Sequence, residues 1–278
     1  MKKNTTLLLL LLLITTATFA QKREKIKGSK IVTTSIKEVG DFDGIEADDN
    51  LEVYLERGEK NEIKIEADDN LHDIVAMDLR DKTLRLYTSK ESTIFKKLIV
   101  RVTYTKSLKK VIAKNESVIY AIQELQLDDL TFNAFDYSKL FLNVNAKKFN
   151  LVADNKSKSE INLKSEDAAL QLSKNASVKA LVSAIKFKCD LYQDATAAIE
   201  GIAEKGLIRL DNNSVFKGEK FTLKDSNVIA ESSSKGIILS EIAISIAIGN
   251  KAELSLFGNP KIELTRFSEE AKLIKKIK

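Results

Sequence analysis

Apolar and polar residues alternate along most of this chain, in short runs. Examples are Leu140/Leu142/Val144, Phe149/Leu151/Ala153, Ile161/Leu163, Leu170/Leu172, Phe187/Cys189/Leu191, Ile208/Leu210, Phe221/Leu223, Val228/Ala230, Ile237/Leu239, Ile242/Ile244/Ile246/Ile248 and Leu254/Leu256. Apolar side chains at i and i+2 turn one face inward and leave the other wet, which is the strand period. No central stretch sustains a period of 3.6. The region 31–104 has the same character, with Leu51/Val53/Leu55, Ile63/Ile65, Leu84/Leu86 and Leu98/Val100/Val102/Tyr104 alternating. Arg57-Gly58-Glu59-Lys60-Asn61 reads as a hairpin turn between two of these runs.

The polar punctuation between strands repeats. Asn or Asp followed two residues later by Ser or Thr occurs at Asn115-Glu-Ser117, Asp136-Tyr-Ser138, Asn155-Lys-Ser157, Asn175-Ala-Ser177, Asp194-Ala-Thr196 and Asn212-Asn-Ser214. Weaker copies follow at Glu231-Ser-Ser233 and Asn250-Lys-Ala252, and the spacings run from 18 to 21 residues. A sandwich or barrel would accept strands of this length but does not need one turn at a constant interval. A solenoid does, because each coil stacks about 4.8 Å above the last and equivalent corners share a column. Asn and Asp suit such corners, since they tolerate left-handed backbone and bond to nearby main chain. The pattern therefore predicts an all-β, right-handed parallel β-helix or β-solenoid with coils of about 19–20 residues. A less regular β region precedes it, with a sub-boundary near 105. Asn115, Asn155, Asn175 and Asn212 also match the N-glycosylation sequon, but that reading explains neither the interval nor the Asp136 and Asp194 copies.

Residues 1–20, MKKNTTLLLLLLLITTATFA, divide the chain differently. Lys2 and Lys3 precede the apolar run Leu7–Ile14, and Thr18 and Ala20 fit a cleavage site before Gln21. The run is shorter than the about 20 residues a membrane span needs, so the segment reads as a secretory signal peptide rather than an anchor. The expected organisation is a signal peptide at 1–20, an N-terminal extension at 21–38, the solenoid domain at 39–265, and a cap or lysine-rich tail at 266–278. Ser268-Glu269-Glu270 could start a short capping helix there. The mature chain is expected to be exported, to the periplasm, the outer cell surface or the medium, with no transmembrane segment.

Composition narrows the chemistry. The 45 Lys and Arg barely exceed the 40 Asp and Glu and are scattered, which argues against a nucleic-acid partner. One cysteine and one histidine leave no intrachain disulfide and no Cys- or multi-His-based metal site. Asp48-Asp49-Asn50 and Asp68-Asp69-Asn70 lie in an identical heptapeptide, Ile-Glu-Ala-Asp-Asp-Asn-Leu, repeated at 45–51 and 65–71. Stacked at equivalent places they would offer oxygens to calcium, but they match no calcium-loop pattern and read as solvated turns. His72 lacks a nucleophile elbow and reads as an exposed turn residue. Cys189 falls on the inward phase as a small hydrophobe. Glu166-Asp167 is a carboxylate pair with no demonstrable partner across a sugar. Lys109-Lys110, Lys147-Lys148 and Lys275-Lys276 read as solvated, edge-blocking lysines. With no Trp, 6 Tyr and 12 Phe, several of them inward, sugar-stacking platforms look scarce.

Three stretches carry a family resemblance. They are Val39-Gly-Asp-Phe-Asp-Gly-Ile45 with Leu51-Glu-Val-Tyr-Leu55, the small polar turns of 115–252, and Phe257-Gly-Asn-Pro-Lys-Ile262 with the lysine-rich close. In these the chain resembles the bacterial auto-transporter adhesin, head GIN domain family over 39–265. The resemblance implies a β-helix-like fold similar to pectin lyases, without their catalytic residues, and a role in cell adhesion. The family's turns often pair Gly with Ser, whereas Asn, Asp or Lys stand here. The expectation is a non-enzymatic exported binding protein of the adhesin-head type, with no catalytic, metal or cofactor site. Its partner would be a surface ligand such as a glycan or matrix protein. The alternatives are a polysaccharide-active β-helix enzyme and a structural envelope scaffold.

Overall fold

From Val118 onward the chain winds as seven long, bent strands: Val118–Ala134, Lys139–Ala153, Lys158–Leu172, Ser177–Leu191, Thr196–Leu210, Val215–Ala230 and Lys235–Ile248. The computed structural model describes residues 23–277, so the expected signal peptide lies outside the described residues. Each long strand pairs in parallel with the next, and from 139 to 191 partners are offset by a constant 19 residues, as in Lys139↔Lys158 and Lys158↔Ser177. This is the parallel β-solenoid that the alternation predicts.

The corners explain how an all-β chain does this with so little glycine. At six of them, two consecutive residues adopt positive φ near 50° and 64°: Asn115 and Glu116, Asp136 and Tyr137, Asn155 and Lys156, Lys174 and Asn175, Gln193 and Asp194, Asn212 and Asn213. That is a type I′ turn, closed by an N–H of the fourth residue donating to the first carbonyl, as Ser138 to Phe135 at 3.1 Å. The corners form one column. The second corner residue donates its N–H to the first corner carbonyl of the next coil, Tyr137 to Asn155, Lys156 to Lys174, Asn175 to Gln193 and Asp194 to Asn212, at 2.9–3.0 Å. One correction follows. Asn175 and Asp194 are second-position residues, so Ser177 and Thr196 lie one place beyond the serines with which the triplet aligned them. The fourth position is instead a column of fully buried small residues: Ser117, Ser138, Ser157, Ala176, Ala195, Ser214, Ser234 and Ala252. There is no room for more, because the chain reverses inward at this point.

The interior is a single apolar column. Its layers alternate in size. Phe149, Ala168, Phe187 and Gly206 occupy one inward column in successive coils. A rung spacing of about 4.8 Å is narrower than a phenyl ring, so the small neighbours make space for rings to tilt. Phe187 meets Phe221 edge-on, with centroids 4.9 Å apart. Cys189, fully buried in the adjacent column between Leu170 and Ile208, packs as the small hydrophobe its phase suggests, and burial pushes its thiol pKa up.

The N-terminal region is less regular for a definite reason: its layers do not stack in chain order. Gly44–Ala47 and Glu52–Arg57 form a coil, stacked on Lys110–Ala113 and on the start of Val118–Ala134. Beneath it lie Thr83–Thr88 and Leu98–Tyr104, again parallel. Residues on both sides of 105 thus share one stack, to which the 44–57 coil belongs. Beyond these layers the sheet turns antiparallel. Glu62–Asp68 pairs with Leu98–Tyr104 on one side and Val32–Glu38 on the other, and Val75–Arg80 pairs with Thr83–Thr88. Lys25–Lys27 and Val32–Glu38 make residues 25–38 part of this end.

The duplicated heptapeptide is the sharpest correction. Asp49 and Asn50 form a corner with φ 62° and 59°, whereas Asp69–Ile74 is a short 3-10 helix. Identical residues adopt different structures because the first copy has another coil's corner beside it, Asn50 donating its N–H to the Asn115 carbonyl, whereas the second lies between antiparallel strands. At the other terminus no helix forms after Ser268. Glu269 makes a further positive-φ corner, and Lys272–Lys275 adds a parallel rung on Glu253–Phe257.

Candidate functional site

Each coil presents outward columns as regular as its inward ones. Five residues after the first residue of a corner, the outward position holds Tyr120, Phe141, Glu160, Lys179, Ala198 and Lys217 in successive coils, with Tyr54 in the coil before. The aromatics stack. Tyr54 and Tyr120 have centroids 4.6 Å apart and planes within 17°, and Tyr120 and Phe141 are 5.1 Å apart and within 9°. Arg101 closes one end, its guanidinium 5.0 Å from the Tyr54 centroid and bonded to Glu56 at 2.6 Å and Glu66 at 3.0 Å. Burial, with the Glu52 charge and Tyr54 adding to it, raises the Tyr120 phenol pKa.

Phe141 is the last ring, since the next coil places Glu160 in its column. It borders a groove of about 740 Å³ on this flank. The floor is apolar, with Ile122 71% and Leu181 55% exposed. Asn143 and Asn162, joined at 3.2 Å, sit in adjacent rungs beside it. Lys179, Glu200, Lys217 and Lys220 line the rest, with Lys220 and Glu200 paired at 3.1 Å. Exposed apolar side chains beside an aromatic face and a polar rim make this a surface suited to binding. The sequence reading missed the ladder because it counted aromatics instead of aligning them; the signal is that Tyr54, Tyr120 and Phe141 each follow a corner by the same interval. A second groove of about 390 Å³, on the second half of the same bent strands, is lined by Lys148, Asp167, Lys186, Lys188 and Lys205.

The residues weighed from sequence are dispersed. Asp48 meets Lys114 at 3.3 Å and Asn115 at 2.7 Å, and Asp49 pairs with Arg23 at 2.6 Å. Asp68 is buried at the N-terminal end, and Asn70 bonds Lys27 and Ser29. The two acidic clusters are therefore neither stacked nor equivalent. His72 is half-buried rather than exposed, its two ring nitrogens 2.9 Å from the hydroxyls of Thr33 and Ser35. Asp167 pairs with Lys186 at 3.5 Å and Lys147 with Asp128 at 3.0 Å. Among the described residues, no group of three or more His, Cys, Asp or Glu is placed to hold a metal ion.

Glu66 anchors the ladder's charged end. Hydrogen bonding from Lys97, opposed by burial and reinforced by Arg101 and Lys64, lowers its pKa to about 2. A folded-state pKa below the ordinary 4.5 contributes stability that is full above pH 4.5 and is lost as pH falls toward 2. The Glu66→Gln variant is expected to be less stable by roughly 1–3 kcal/mol at pH 7. Urea melts at descending pH should show that gap closing between those two values; a constant gap would contradict the assignment.

Three comparisons place this geometry. A family model described as "Putative auto-transporter adhesin, head GIN domain" matches residues 41–260. Among solved structures, a "putative adhesin" from Parabacteroides merdae aligns at 20% identity and TM-score 0.65, covering 91% of this chain and 100% of that one. A "putative adhesin" from Parabacteroides distasonis aligns at 15% identity and TM-score 0.65, over 91% and 100%. A "putative lipid binding protein" from the same species aligns at 12% identity and TM-score 0.60, over 91% and 97%. At these identities the likeness is one of fold. No curated protein matches the chain.

Proposed function

Starting from the fact that this chain belongs to the auto-transporter adhesin, head GIN domain family, we propose that it is a non-enzymatic, exported binding protein of the adhesin-head type. It engages a surface ligand along the flank that carries the aromatic ladder. The observation behind this reading is the unpartnered end of that ladder: Phe141 borders an exposed apolar groove with paired charges at its rim. A rigid sheet holds these groups in place without prior ordering, which lowers the entropic cost of binding. The apolar face of a sugar ring, or an aromatic side chain of a matrix protein, would pack on such a ring. Export rests on the three-part pattern of residues 1–20.

Purified protein should be passed over a panel of immobilised glycans and matrix proteins. Phe141→Ala and Leu181→Asp are each expected to weaken the best binder about tenfold or more, as loss of a central anchor does, with unchanged melting temperature. Turnover of an acidic polysaccharide by the wild type, or binding indifferent to both substitutions, would defeat the reading.

A further inference from the structure

The two ends of the solenoid differ, and they complement each other. At the C-terminal end the last rung on one sheet is Lys261–Phe267. Its Ile262, Leu264 and Phe267 stand in register with Ile244, Ile246 and Ile248, which are core residues. Yet they are 45%, 47% and 50% exposed, because among the described residues no coil lies above them. The interior column therefore runs out into solvent at this end.

At the N-terminal end of that same sheet the outermost strand is Val75–Arg80. Met77 and Leu79 stand opposite the core residues Leu86 and Leu84, and Leu79 is 43% exposed. Val75–Arg80 runs against the coil direction, while Lys261–Phe267 runs with it. A second copy continued along the axis would thus bring the two edges together antiparallel, with Leu79 and Met77 joining the column of Ile262, Leu264 and Phe267. On the other sheet, Lys272–Lys275 would meet Val32–Glu38, and both run in the coil direction. Charge favours the match of Lys261–Phe267 to Val75–Arg80: residues 69–82 carry four aspartates against Arg80 and Lys82, and Lys261 and Arg266 outnumber Glu263 on the opposing strand. Two C-terminal ends brought together would instead repel.

We propose that the protein self-associates head to tail, the C-terminal rung of one copy adding to the N-terminal end of the next. The contact is heterologous, so it extends into a filament rather than stopping at a dimer. The edges supply main-chain hydrogen bonds and the buried apolar residues supply the driving force.

Sedimentation of the mature chain should show an average mass that rises beyond the dimer with concentration. Leu79→Lys blocks the head and Leu264→Lys the tail, and each variant alone is expected to stay monomeric. Mixed in equal amounts they are expected to form a dimer and nothing larger, since each retains one good end. Ile262→Glu provides a second blocked tail, and circular dichroism confirms that each variant is folded. A wild type that is monomeric at every concentration would overturn the proposal. So would a Leu79→Lys protein that dimerises alone, which would mean tail-to-tail pairing, or a mixture that does not associate.

Discussion

Replacing Gly201 by alanine is expected to destabilise the protein by about 3–5 kcal/mol, among the larger effects of a single substitution. Gly201 lies mid-strand in Thr196–Leu210 with φ 107°, beyond the left-handed region that Asn and Asp tolerate at the corners. A Cβ there would also run into the Val182 carbonyl of the preceding coil. That atom is backbone within a parallel ladder, so it cannot swing aside as a side-chain tip would. The strain must be relieved by opening the pairing of two coils. A thermal melt should show a loss on the order of 10 °C, using the usual scaling for a chain of this size. Glu200→Ala, at the neighbouring exposed position, should stay within about 0.5 kcal/mol of wild type. A Gly201→Ala protein with wild-type stability would mean that this coil is not built as described. Gly258, with φ 85° and the Ser240 carbonyl against it, gives the Phe257-Gly-Asn-Pro motif the same physical meaning.

Asp68→Ala is expected to loosen the N-terminal end selectively. The carboxylate is fully buried and accepts backbone N–H groups from Lys30 at 2.7 Å, Lys96 at 3.1 Å and Lys97 at 3.0 Å. Burial alone would raise its pKa, but the N–H donors of Lys96, Lys30 and Lys97 outweigh it and hold the group below the ordinary carboxylate value. Its contribution is therefore present above the unfolded pKa and lost on acidification. Alanine leaves three donors unpaired in a dry site, and unmade buried hydrogen bonds are expensive. The melting temperature should fall by on the order of 10 °C. Hydrogen exchange should rise in Val32–Glu38, Glu62–Asp68 and Leu98–Tyr104, while the coils of 139–248 keep their protection, because stacked repeats depend on their nearest neighbours. Asparagine should fall between, since it keeps an acceptor oxygen but turns an amide toward the donors. Uniform loss of protection along the chain would contradict the local role given to Asp68.

Much of the fold was legible in the chain, and the reasons are specific. Leu140, Leu142 and Val144 alternate because a strand has a period of two, and every coil obeys that rule independently. The recurrence near nineteen residues reports a closed lap, so it needs no knowledge of neighbours. Phase was harder. Asn175 and Asp194 satisfy a type I′ turn at its second position as readily as Asn155 does at its first, and the triplet could not tell the two apart. The aromatic ladder was legible in principle, since Tyr54, Tyr120 and Phe141 each lie five residues after Asp49, Asn115 and Asp136, but it shows only when the corners are aligned rather than the aromatics counted.

Local pattern thus dictated strand, corner and coil, since each depends on residues within one lap of the chain. Order along the stack was settled elsewhere. Ile45–Leu51 and Ile65–Leu71 are the same seven residues, yet one became a corner and the other a strand end and 3-10 turn. What separates them is the neighbour that each backbone found: the Asn115 carbonyl in the next coil for the first, and for the second the amides of Lys30, Lys96 and Lys97, closing on Asp68. Those partners lie 28 to 65 residues away, beyond the reach of any local preference, and their pairing energies decided the outcome.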